Sequence, residues 1–103
     1  MADLTDRKLV LALKGVYFDQ IKDGSKTFEY RLRTPYWRKR LEGRSYDSVV
    51  VTKGYPAADD SSRRLAFAWA GYEEQTITHP FFGVDPVEVF AIRVGQPAQG
   101  GGA

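Results

Sequence analysis

Residues 24–31 read "GSKTFEYR". A turn glycine is followed within seven positions by Lys26, Glu29 and Arg31. If the segment is a strand, successive side chains oppose one another. Lys26, Phe28 and Tyr30 then share one face, and Thr27, Glu29 and Arg31 the other. Glu29 and Arg31 can pair along that face, and Lys26 can reach them from the turn. Phe28 and Tyr30 are expected to point toward the core. The three charges are then either an exposed ion pair and its neighbour, worth little energetically, or the lining of a site.

The flanks give the segment its context. "KLVLALK" at 8–14 is an apolar run fit for a buried first strand, though periodicity alone leaves a helix open. "GVYFDQIKDG" at 15–24 sets Val16, Phe18 and Ile21 at roughly helical spacing, with Gly24 as the C-terminal cap. "TPYWRKRLEG" at 34–43 opens with Thr34 as N-cap and Pro35 in the first turn, and ends at Gly43. "YDSVVVTKGY" at 46–55 is a strand with three consecutive valines. "RLAFAWAGYEE" at 64–74 alternates Leu65, Phe67 and Trp69 with alanines, which predicts one strand packed closely on its second face. "VEVFAIRV" at 87–94 closes the domain as a strand.

The expected fold is α+β: a small barrel or half-barrel of about five mostly antiparallel strands with two short flanking helices. Residues 1–95 form one domain, and "QPAQGGGA" at 96–103 a flexible tail.

The composition fits a folded domain. Hydrophobic residues make up 43% of the chain and aromatics 14%, too much for disorder. With no cysteine, a disulfide framework and a thiolate metal site are both excluded. No apolar run approaches a membrane span and the N-terminus lacks a signal-peptide core, so no membrane partner and a cytoplasmic location are expected. The acidic pairs Asp59–Asp60 and Glu73–Glu74 lack a third ligand at metal spacing, so neither a metal nor a cofactor is expected.

Charge is unevenly spread. Residues 22–44 hold eight basic and three acidic side chains, a local +5 in a chain whose total is +2. Such a segment is either a solvated face or the contact surface for an anionic partner. Arg33, Tyr36, Trp37, Arg38, Lys39 and Arg40 interleave cations with aromatics, the combination that single-stranded nucleic acid needs. Tyr17, Tyr30, Tyr55 and Trp69 are further candidates for base stacking, with Tyr36 and Trp37 preferred for their basic surroundings. The only histidine, His79, reads as a structural hydrogen-bonding residue in a loop.

Glycine, lysine two residues on, glutamate three beyond that and arginine two further make the pattern G-x-K-x-x-E-x-R. "GSKTFEYR" resembles the signature of the ASCH domain, a member of the PUA-like superfamily. The strand and short helix before it, and "HPFFG" with "VEVFAIRVG" after it, extend the resemblance over most of residues 8–95. The resemblance implies a PUA-like β-barrel with the motif's charges in a cleft, and single-stranded RNA or a nucleotide as ligand. Lys26, Glu29 and Arg31 would bind it, with Arg33 and the 36–40 segment alongside.

The resemblance also raises enzymatic alternatives. Some ASCH relatives are amidohydrolases acting on a modified cytidine, with a threonine nucleophile three residues after the motif lysine. That position is Glu29 here, which has no hydroxyl to activate. Other relatives are ribonucleases. For such a hydrolase Lys26, Glu29 and Tyr30 would be the catalytic candidates, the lysine stabilising charge at phosphorus and the tyrosine sharing proton transfer.

Overall fold

The computed structural model describes residues 7–95, so the expected tail at 96–103 lies outside the described residues. Strand β1 (Lys8–Leu13) runs into helix α1 (Gly15–Asp23), and β2 (Phe28–Leu32) into helix α2 (Pro35–Leu41). Four strands follow: β3 (Ser48–Lys53), β4 (Arg64–Ala68), β5 (Tyr72–Ile77) and β6 (Val87–Arg93). Helix α2 starts as its sequence dictates. Thr34 Oγ1 accepts a hydrogen bond from Trp37 N at 3.3 Å, and Pro35 occupies the first turn, where no backbone donor is lost.

The expected barrel is not formed. The strands make two open three-stranded sheets, in the orders β1-β3-β4 and β2-β6-β5. Three of the four strand pairs are antiparallel, and β1–β3 is parallel. Residues 64–74, expected as one strand, break at 69–71, where Gly71 adopts φ 81°. A glycine takes up that left-handed conformation without steric cost. The chain therefore leaves the first sheet after β4, which pairs with β3, and enters the second as β5, which pairs with β6. At the opposite side β1 and β2 are each the edge of a sheet and do not pair with one another.

The core lies between the sheets. Leu9, Leu11 and Leu13 from β1 and Val49 and Val51 from β3 meet Phe90 and Ile92 from β6, with Phe18, Ile21 and Leu41 from the helices. β6 is buried on both faces from Val89 to Ile92, which explains its unbroken apolar run. Two expected faces are revised. Val16 is 57% exposed and its neighbour Tyr17 packs against the core instead. In β4, Leu65 and Phe67 turn inward but Ala66 and Ala68 face solvent, so the alanines do not mark a second packed face.

The face of β2 is also the reverse of expectation. Glu29 stands opposite Ile92 and Arg31 opposite Phe90 in the antiparallel ladder. Directly opposed residues project to the same side of a sheet, so the two charges share the inner face with core side chains. Phe28 and Tyr30 lie on the other face, half-buried and stacked with ring centroids 6.4 Å apart. Phe90→Ala should therefore cost about 3–5 kcal/mol as a core truncation. Phe28→Ala should cost only about 1 kcal/mol, in keeping with half-burial. Urea denaturation of the two variants measures both, and equal losses would mean that Phe28 is a core residue after all.

Candidate functional site

Local structure delivers three charges to one place. Helix α1 ends as Gly24, at φ 88°, caps it with its N–H on Ile21 O. Asp23 Oδ1 accepts from Ser25 N at 2.8 Å, and Lys26 N donates to Gln20 O at 3.1 Å, so the turn into β2 is tied down twice. Lys26 Nζ donates to Phe28 O and lies 3.4 Å from Glu29 Oε1. Arg31 Nη2 lies 3.1 Å from Glu29 Oε2 and donates to Ala12 O, also at 3.1 Å. One carboxylate is thus held between two cations, leaving the cluster with a net charge of +1.

These groups line a cavity of about 250 Å³ between the unpaired edges of β1 and β2. Its aromatic walls are Tyr17 from α1, Tyr30 from β2, and His79 and Phe82 from the β5–β6 connection. The Lys26 ammonium sits 4.6 Å from the Tyr30 ring centroid and 5.8 Å from that of Tyr17. The Arg31 guanidinium lies 5.1 Å from the Trp37 ring centroid, within cation–π range. Its Nε is buried without a hydrogen-bond partner among the described residues.

Burial decides the state of Glu29. Only 8% of the residue is exposed, and desolvation pushes its carboxyl above the ordinary value of 4.5. The charges of Arg31 and Lys26, and the hydrogen bonds they donate, pull the other way without cancelling it. Burial thus weighs against the charged form, and a further donor placed against the carboxylate would favour it.

The basic segment divides. Arg33 turns away from the cavity to Glu88 at 3.0 Å and Glu74 at 3.5 Å. Arg38 pairs along α2 with Glu42 at 3.5 Å, and the Lys39 carbonyl accepts from Arg44 Nε at 2.8 Å. The Arg40 guanidinium lies 4.5 Å from the ring centroid of Tyr36. Tyr36 and Trp37 border a second cavity together with Tyr55, whereas Trp69 packs edge-on against Tyr46 at 5.2 Å. Sequence reasoning did not bring His79 or Phe82 to the site. The paired aromatics of "HPFF" are the signal for such a wall, but only the chain's return beside α1 brings them there, with His79 6.1 Å from the Tyr17 ring.

Comparison with protein-family models, with curated proteins and with solved structures finds no match to the chain. Among the described residues no group of three or more histidine, aspartate or glutamate side chains could hold a metal ion, and no helix is long and apolar enough to cross a membrane.

The buried triad has a measurable signature. Because the folded-state pKa of Glu29 is raised, the folded chain retains a proton that the unfolded chain has lost between pH 4.5 and the raised value. The stabilisation linked to that proton is complete at lower pH and disappears as pH rises through the folded pKa. A glutamine in its place has no such proton. The stability of the parent relative to Glu29→Gln should therefore fall as pH is raised from about 4 toward neutrality, read from paired urea melts. Arg31→Ala, which strips the buried carboxylate of one partner, should destabilise the fold by about 3 kcal/mol at neutral pH.

Proposed function

We propose that the protein is a binding module for single-stranded RNA or a free nucleotide, and that one base enters the first cavity with its amino edge against Glu29. The observation that carries this is a buried carboxylate, flanked by two cations, in an aromatic-walled cavity. At about 250 Å³ the cavity lies below the roughly 300–1,000 Å³ of sites for drug-sized ligands, which suits a single ring system. Tyrosine and phenylalanine walls offer stacking surfaces for any base. A carboxylate accepts a hydrogen bond from an exocyclic amine such as N4 of cytosine. The surplus positive charge favours a ligand that also carries phosphate.

A base paired within a duplex cannot reach a cavity between two sheets, so the strand must be single or the base flipped out. The resemblance of "GSKTFEYR" to the ASCH signature supports the same reading. Helix α2, which follows β2 in the chain, carries Arg38, Lys39 and Arg40 in its last turn as further cations for a phosphate backbone.

Fluorescence anisotropy with labelled single-stranded RNA tests the proposal. Affinity should fall as salt rises, through counterion release. Lys26→Ala should weaken binding. Replacing Arg38, Lys39 and Arg40 together with alanine should make the slope of log affinity against log salt less negative by up to about 2. An unchanged slope would make that helix a solvated face, and no binding at any salt would overturn the proposal. Denaturing gels should show the RNA intact. Shortened RNA would move the function to a ribonuclease using Lys26, Glu29 and Tyr30.

A further inference from the structure

The second cavity, of about 420 Å³, adjoins the first and shares Ala12 and Arg31 with it. It lies over the outer side of β1, where Val10 is 57% exposed. Two tyrosines stand out from its rim: Tyr36 is 57% exposed and Tyr55 95%. Tyr36 carries the Arg40 guanidinium over its ring. Tyr55 follows a turn in which Gly54 N donates to Leu13 O at 2.8 Å, and Thr52 Oγ1 donates to Gly54 O at 2.7 Å.

The charged side chains that line this cavity, Arg31 and Arg64, are both basic. Arg64 reaches the rim and donates to the backbone carbonyls of Pro56, Ala57 and Asp60, which are neutral acceptors. Arg31 is common to both cavities, its Nη2 engaged with Glu29 and Ala12. No aspartate or glutamate of the described residues lines this cavity. Exposed aromatic rings beside two guanidinium groups, in a cavity that no carboxylate lines, suit a ligand that is both planar and anionic. A basic or apolar peptide would gain nothing from that charge.

We propose that the second cavity is the subsite for the adjacent nucleotide, so that the protein recognises a dinucleotide step. One base enters the first cavity, the next stacks on Tyr36 and Tyr55, and the phosphodiester between them passes Arg31. This rests on the first cavity being a base pocket. The shared guanidinium gives the step its register: it is fixed to the fold through Ala12 O, and both bases are placed relative to it.

Calorimetric titration with the four ribonucleoside 5′-monophosphates and with the dinucleotides CpC, UpU, ApA and GpG tests the inference. For the base that the first cavity takes, the dinucleotide should bind at least tenfold tighter than the monophosphate, within the roughly 5- to 150-fold range of one added base stack. The double variant Tyr36→Ala, Tyr55→Ala removes two exposed rings and the edge-on contact of Tyr36 with Trp37, so its circular dichroism should match the parent and its melting point should fall by no more than a few degrees. It should lose that gain and keep the affinity for the monophosphate. Equal affinities for monophosphate and dinucleotide, or a gain that survives in the double variant, overturn the second subsite alone. If neither ligand binds, the base pocket and the subsite fall together.

Discussion

The arginine of β2 ties the molecule together. Arg31 spans from the edge of one sheet to the edge of the other, donating to a main-chain carbonyl of β1 while neutralising a carboxylate on its own strand. An edge strand leaves backbone groups without partners. Here a side chain satisfies one of them where a continuous ladder would have done so in a closed barrel. The gap it spans is the cavity. A fully paired β1–β2 edge would remove the opening, and an unbridged one would leave Glu29 buried with one cation fewer.

The remaining packing is arranged around that gap. β6, the middle strand of its sheet, is buried on both faces and presents Phe90 and Ile92 directly opposite the charged residues of β2. An apolar floor beneath a charged triad lowers the effective dielectric, which strengthens each contact in the triad and raises the cost of leaving any member unpaired. Lys26 is held at the same place by the α1–β2 turn and by its hydrogen bond to Phe28 O. Glu29 and Arg31 therefore carry stability as well as the proposed recognition. Tyr55 stands out in solvent, and Tyr36 meets the core through its edge-on contact with Trp37, 5.1 Å between ring centroids.

The two cavities differ in the kind of contact they offer. The first presents a single buried acceptor among aromatic walls, where a mismatched polar edge would leave that acceptor without its donor. The second offers exposed rings and cations, which reward any flat anionic group with little discrimination. A pocket that selects beside a platform that only holds would suit the proposed binding of a single strand, with Arg31 common to both.

Local chemistry by itself determined the helices and the identity of the charged cluster. Thr34 and Pro35 start α2 and Gly24 ends α1 through interactions confined to a few neighbouring residues, so their meaning is readable along the chain. The spacing of Lys26, Glu29 and Arg31 likewise marks a candidate site before any folding. What alternation could not decide is which face of β2 turns inward, because period two divides the residues into two sets without assigning either to the core. Aromatic Phe28 and Tyr30 are the expected inner set. The ladder with β6 places Glu29 and Arg31 there instead, where two cations and a backbone carbonyl compensate a burial that the carboxylate could not bear alone. The same limit hid the break at Gly71: one glycine in an apolar alternation fits a continuous strand as well as a crossing. Only the separate pairing of β4 with β3 and β5 with β6 makes it a crossing, and with it two open sheets and the cavity between them.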